Sequence, residues 1–219
     1  MKIICFAGPN GSGKSTIIKK YEDRMKDFLY VNADNIAREY FSHIEDYVQR
    51  NLLAAQYADE LRNELLSSNQ KFAFETVLST PRNLELLKEA KNKGYEVEAH
   101  YVLTTDPNIN VQRVGHRVSQ GGHDVPESKI IERYHRCIKL LPEVLEASDK
   151  ATVYDNSDKY KIICYKNKNT YYFFNKHDEW INKNLVQPLK AKECKIKYIS
   201  QERYDKICEK EEKKASLKR

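Results

Sequence analysis

The chain has 219 residues, of which 32% are charged, with a formal net charge of +6. That length suits one α/β domain with an appendage and is enough to bury a core. A mean hydropathy of −0.76, with no apolar run of spanning length, excludes a membrane helix. The mild positive excess suits an anionic partner, phosphorylated metabolite or nucleic acid, without separating the two.

In chain order, Lys2–Ala7 reads as a short buried strand of the kind found at the centre of a parallel sheet. Gly8-Pro9-Asn10-Gly11-Ser12-Gly13-Lys14-Ser15 follows and fits the phosphate-binding pattern G-x-x-x-x-G-K-[ST]. Thr16–Tyr21 reads as the first turns of a helix, so the motif sits between strand and helix, the context it demands. The glycines let successive N–H groups turn toward one anion, and the helix N-terminus adds partial positive charge. In this pattern Lys14 reaches the β- and γ-phosphates of a nucleoside triphosphate, and the Ser15 hydroxyl binds Mg²⁺.

Phe28–Val31 reads as a second strand, running into Asn32-Ala33-Asp34-Asn35. Ligands of open α/β sheets sit at the carboxyl ends of strands, which makes Asp34 the candidate general base. The competing reading is that Asp34 or Asn35 caps a helix over Ile36–Tyr40. Ile44, Val48, Leu52, Ala55, Ala58, Leu61 and Leu65 recur at helical spacing over 44–68 and predict one apolar, core-facing stripe. Lys71–Val77 is a third strand with Glu75 near its carboxyl end. A carboxylate there needs a partner: Mg²⁺ through water, an acceptor hydroxyl, or a salt bridge to Arg82.

Thr80-Pro81 and Asp106-Pro107 are cap-plus-proline helix starts, with a strand over Tyr95–Leu103 between them. The helix after Asp106 carries Arg113 and Arg117. The one opened by Pro126 carries Arg133 and Arg136. A loop, Gln120 to Pro126, joins them, and the pair reads as a helical lid over about residues 113–136 whose arginines neutralise a transferring phosphoryl group. The competing reading is a solvated basic face. His123 and Asp124 read as loop hydrogen-bonding groups. Pro142 should kink or end the second helix after Leu141. Ala151–Ser157 reads as the last parallel strand and its exit, with Asn156 or Ser157 beside the base. From Lys159 the character changes: Tyr160–Tyr165 and Thr170–Phe174 flank a polar turn, a hairpin by alternation. A short helix over His177–Leu189 and a charged helical tail to Arg219 complete the chain. Aromatics interleaved with lysine at 159–176 could stack on nucleic acid; an ordinary half-buried hairpin is the favoured reading. The five cysteines, Cys5, Cys137, Cys164, Cys194 and Cys208, contain no C-x-x-C pair. They suggest neither zinc nor disulfides and fit a reducing cytoplasmic setting. The N-terminal apolar run is too short to be expected as a signal peptide.

The fold class expected is a P-loop kinase-like three-layer α/β sandwich with a mostly parallel sheet. It divides into a core with lid over 1–158 and a hairpin with charged tail over 159–219.

Phe6–Thr16, Asn32-Ala33-Asp34, Phe74-Glu75-Thr76, Arg113-Val114 to Arg117-Val118, Gly121 to Pro126, Arg133-Tyr134 and Tyr154–Ser157 together resemble the zeta toxin family of P-loop kinases, in its short stand-alone branch. The resemblance covers about residues 1–157. It implies an ATP- or GTP-dependent kinase whose acceptor is a hydroxyl of a small anionic metabolite, UDP-N-acetylglucosamine in the best-known members, and an antitoxin protein as partner. It assigns the nucleotide to Gly8, Pro9, Asn10, Gly11, Ser12, Gly13, Lys14, Ser15 and Thr16, and the base to Asp34. Catalytic roles also fall on Lys14, Arg117 and Arg133, with Arg136 a rival for the last. Glu75, Thr76, Arg113 and Arg136 are the acceptor-side candidates. Val77 stands where well-studied members carry a sugar-binding threonine. Two other functions compete: a nucleoside or polynucleotide 5′-hydroxyl kinase, and an ATP-dependent switch protein without metabolic activity.

Overall fold

β1 (Lys2–Ala7) is buried along nearly its whole length, as its unbroken apolar run requires. In the computed structural model, which describes residues 1–121, 124–174 and 178–207, β1 lies inside an eight-stranded sheet. On one side stand β3 (Phe72–Thr76) and then β2 (Leu29–Val31); on the other stand β4 (Glu96–Leu103) and β5 (Lys150–Asp155). These five strands are all parallel. β6 (Lys161–Asn167) then runs antiparallel to β5, and β7 (Thr170–Phe173) antiparallel to β6. β8 (Lys195–Tyr198) is parallel to β7. The fold is the expected α/β sandwich with a mostly parallel sheet.

The helices are α1 (Lys14–Tyr21), α2 (Ala33–Glu39), α3 (Tyr47–Ser67), α4 (Pro81–Asn92), α5 (Pro107–Ser119) and α6 (Glu127–Ala147). Two short ones, α7 (Glu179–Ile181) and α8 (Gln187–Ala191), flank a π-helical turn, Asn182–Val186. Strand alternation separates two cores. Ile3, Cys5 and Ala7 of β1 join residues of α3, α4 and α6, whereas Ile4 and Phe6 join Ile17 and Ile18 of α1 on the other face.

Several local expectations are corrected. The α3 stripe fails in its first half: Val48 is 75% and Leu52 57% exposed. The face that packs carries Ala54, Ala58, Arg62, Leu65 and Leu66. Its surprise is Arg62, which pairs with Asp59 and lies 5.2 Å from the Phe74 ring centroid. Pro142 does not end α6, which runs on to Ala147. An internal proline costs about 3 kcal/mol, and burial of Leu141, Val144 and Leu145 around it offsets that loss. Lys195–Tyr198 is strand rather than tail helix, because β7 offers it an open edge. Residues 201–207 are helical; 208–219, with Cys208, and Gly122 and His123 lie outside the described residues. The hairpin aromatics Tyr165, Tyr171 and Phe173 are buried, which favours the half-buried hairpin over a stacking platform. No described helix is long and apolar enough to cross a membrane.

The hairpin is tied to the core by Lys166. Its buried ammonium donates to the Leu145 carbonyl at 2.6 Å, to Glu146 at 3.2 Å and to Ser148, closing the open carbonyls at the end of α6. Burial lowers the Lys166 pKa to about 8.

A second charge cluster surrounds the buried Glu98 and His100 of β4. Glu98 accepts from Lys2 Nζ at 2.6 Å and faces Arg24 at 3.4 Å. His100 Nε2 lies 2.9 Å from Glu98, and the Tyr154 hydroxyl 3.4 Å from His100 Nδ1. One ring proton, on Nε2, satisfies both contacts, and two cations already face Glu98. Burial therefore holds His100 neutral, below its ordinary value of 6.5. The sign follows from linkage: below pH 6.5 the unfolded chain binds a proton that folded His100 refuses, so stability falls as pH falls. The depressed Glu98 adds its loss only below its ordinary value of 4.5. Thermal melts between about pH 7.5 and 5 should show this loss. His100→Gln, which keeps a donor to Glu98, should flatten the slope by up to about 1.4 kcal/mol per pH unit. An unchanged slope would show that His100 is not its source.

Candidate active site

The P-loop joins β1 to α1 at the carboxyl edge of the sheet. Gly8 has φ 144° and Gly13 φ 96°, values that side chains resist. Space forbids side chains as well: a Cβ on Gly8 would collide with the Val102 carbonyl. One on Gly13 would meet the Tyr160 hydroxyl and lie 2.5 Å from Asn156 Nδ2. Gly13 stands at the N-terminus of α1 without any side-chain cap, and the first turn carries no acid, so the positive end of the helix is unopposed.

Three side chains from outside the loop hold its backbone. Asn110, fully buried on α5, donates to the Asn10 carbonyl at 2.6 Å, and its own oxygen accepts from the Thr104 hydroxyl. Asn156, at the exit of β5, donates to the Ser12 carbonyl at 2.8 Å. The Tyr160 hydroxyl donates to the Gly13 carbonyl. Sequence reasoning missed Asn110 and Tyr160 and set Asn156 or Ser157 beside the base. Of these two, Asn156 is buried and bonded to the loop backbone. No pattern in one sequence marks these residues, which lie 100, 144 and 147 positions from their partners.

Lys14 is buried, and its ammonium donates to the Gly8 carbonyl at 3.0 Å and Pro9 at 3.2 Å, with Glu75 Oε1 at 3.6 Å. Alternation along β3 turns Glu75 to the P-loop side. There it also accepts from Asn32 Nδ2 at 2.9 Å and from the Tyr30 hydroxyl at 3.4 Å. The rival pairing of Glu75 with Arg82 is corrected, because Arg82 pairs with Asp59 instead. Burial, then the Glu75 carboxylate, pushes the Tyr30 phenol up, with Asp34 adding to the same effect. These groups share one electrostatic neighbourhood.

The cap of α2 is Asn32, whose side chain accepts from the Asn35 N–H at 3.0 Å. The rival reading of Asp34 or Asn35 as cap is thereby corrected. Asp34 lies exposed in the first turn of α2. Thr76 faces the other way, its hydroxyl accepting from the Leu78 N–H at 3.0 Å and Asn83 Nδ2 at 2.9 Å. Ser15 and Thr16 are exposed on the first turn of α1.

The four arginines of α5 and α6 part company. Arg133 reaches the P-loop, with Nη1 3.4 Å from Asn10 Oδ1. Arg113 points to the β5 exit, with Nη2 3.4 Å from the Ser157 carbonyl. Arg117 is exposed in the last turn of α5. Arg136 is exposed and pairs with Glu132 along its own helix at 3.4 Å. The Ser157 hydroxyl is held by Asp155 and the Thr105 N–H. Asp124 is exposed beside the start of α6. Two buried polar atoms have no hydrogen-bond partner among the described residues, Ser12 Oγ and Arg113 Nη1. No cluster of three metal-ligating side chains occurs among those residues.

A zeta toxin family model matches residues 2–170. The chain belongs to the zeta toxin family. The match takes in the P-loop, Asp34, Glu75, α5 and α6, and the loop with Asn156 and Tyr160. An uncharacterised protein of Haemophilus influenzae is 29% identical over 133 residues, 61% of this chain and 92% of that one. A solved structure from the PezAT chromosomal toxin–antitoxin system of Streptococcus pneumoniae is 19% identical, with a TM-score of 0.51 over 73% of this chain and 70% of that one. The AvrRxo1-ORF1:-ORF2 complex with ATP is 13% identical, with a TM-score of 0.61 over 75% of this chain and 57% of that one. At these identities the two structures show the shared fold, and the zeta toxin chain has the P-loop kinase architecture.

Gly13→Ala should weaken ATP binding by about tenfold or more, since the strain of a non-glycine residue here costs about 1–3 kcal/mol and the new methyl displaces Tyr160 and Asn156. Titration calorimetry checks this, and unchanged affinity would remove the glycine cradle from the binding site.

Proposed function

We propose that this zeta toxin family kinase is a Mg²⁺-dependent phosphotransferase moving the γ-phosphate of ATP or GTP to a hydroxyl of a small anionic metabolite, with a UDP-sugar of the UDP-N-acetylglucosamine type as acceptor. One observation carries the reading. The Lys14 ammonium, at the mouth of a glycine cradle, is 3.6 Å from Glu75, beside a helix turn whose carboxylate, Asp34, is released from capping by Asn32. Donors for the phosphates thus adjoin a carboxylate open to an acceptor. Ser12 Oγ and Arg113 Nη1, buried and without a hydrogen-bond partner among the described residues, are groups that a polyanion and its nucleoside would satisfy.

Asp34 accepts the proton of the acceptor hydroxyl as its oxygen attacks the γ-phosphorus and the bond to the β-phosphate bridge breaks. Lys14 and Arg133 meet the charge spread over the transferring oxygens, and Arg117 joins them from α5. Ser15 and Glu75 would hold magnesium, directly or through water, which when bound screens the β- and γ-phosphates. Arg113 orients the nucleoside end, beside Ser157. A cytoplasmic setting and an antitoxin partner complete the proposal; the first is supported by the scattered free cysteines, the second by the likeness to a toxin–antitoxin structure.

The test offers γ-labelled ATP and Mg²⁺ with nucleotide sugars, nucleosides and RNA ends. Asp34→Asn should lose about 10²–10⁴-fold in transfer while binding ATP almost as before. Full turnover by that variant would remove Asp34 as the base. Labelling of RNA ends alone would replace the sugar-nucleotide acceptor.

A further inference from the structure

We infer that Tyr160 is a positioning residue for the nucleotide site, one that lies outside the P-loop motif and belongs to the approach to the C-terminal hairpin. The inference rests on the kinase reading above. In a planar trans peptide the carbonyl and the following N–H point opposite ways. The Tyr160 hydroxyl draws the Gly13 carbonyl to itself, so the Lys14 N–H is turned away from Tyr160, into the loop. Asn156 does the same one residue earlier, holding the Ser12 carbonyl and turning the Gly13 N–H.

The approach is close. Tyr160 and Asn156 both lie where a Cβ of Gly13 would stand, so the left-handed glycine and the phenol form one fitted unit. The Gly13 carbonyl also accepts from the Thr16 N–H at 3.2 Å. It is thus bonded to helix and clamp at once.

Tyr160 is itself fixed. Its half-buried ring packs on the core beneath α1, with the Lys20 ammonium 5.7 Å from the ring centroid. The loop that carries it is closed by pairing of Asp155 with Lys161. At the other end of β6, Lys166 is anchored in the end of α6. The hairpin therefore holds a phosphate-binding loop in a fixed orientation, which predicts that loosening β6 loosens nucleotide binding.

The experiment uses the full chain and the variants Tyr160→Phe and Lys14→Ala. Calorimetry measures binding of Mg-ATP and of inorganic pyrophosphate, and thermal melts are recorded without ligand. Tyr160→Phe should bind both ligands about three- to tenfold more weakly, the worth of one hydrogen bond. Its melting midpoint without ligand should move by no more than about 3 °C. Equal loss for ATP and pyrophosphate places the effect on the phosphates. Loss for ATP alone would make Tyr160 a base contact and overturn the inference. So would unchanged affinity, or a large fall in the midpoint with affinity intact, because Tyr160 would then be purely structural. Failure of the unmodified protein to bind ATP, or binding equally tight in Lys14→Ala, would overturn the kinase reading and this inference with it. Failure of the Tyr160→Phe arm alone leaves the kinase reading standing.

Discussion

A peptide unit is rigid, so a carbonyl held on one side fixes the N–H on the other. The site depends on this constraint. Asn110, Asn156 and Tyr160 take the carbonyls of Asn10, Ser12 and Gly13, which orients the N–H groups of Gly11, Gly13 and Lys14. Fixing the backbone of one residue costs about 1–2 kcal/mol. A loop ordered in advance is spared that cost when a ligand arrives. The clamps come from α5, from the exit of β5 and from the approach to β6, so three separate parts of the chain hold the loop.

The two carboxylates near the loop differ because their surroundings differ. Glu75 sits among Lys14, Asn32 and Tyr30, a set that satisfies its oxygens and keeps it in place. Asp34 stands exposed on a helix turn whose cap is already supplied by Asn32. Asn32 thus serves both groups, giving its oxygen to the Asn35 N–H and its amide to Glu75. A single side chain links the local need of a helix start to the charge arrangement of the proposed site.

The C-terminal segment extends the core sheet, since β6, β7 and β8 continue it from β5. Its aromatics pack inward, and Lys166 closes the end of α6. At the opposite edge the exposed Val48 and Leu52 of α3 leave an apolar face on the wall next to α2. Burial in this wall is carried by Ala54, Ala58, Leu65 and Leu66 together with Arg62, a cation paired with Asp59 and set near the Phe74 ring.

The order of strands and helices was legible because it rests on local physics. Strand runs, cap-plus-proline starts at Pro81 and Pro107, and the glycine pattern of residues 8–15 each act within a few residues. So was the P-loop, whose chemistry is nearly all backbone and whose glycines cannot be replaced. Glu75 was singled out because a carboxylate in an apolar strand must have a partner; which partner, Lys14 rather than Arg82, needed the sheet. The α3 stripe, the run of α6 past Pro142 and the strand at 195–198 went against local signals, because burial and an open sheet edge outweighed propensity. Only the folded chain could divide Arg133 from Arg136, three residues apart but with different partners, or bring Tyr160 to Gly13. Such contacts join residues more than a hundred positions apart, and no short-range periodicity records them: the sequence determines which groups are available, and the packing of the sheet decides which of them meet.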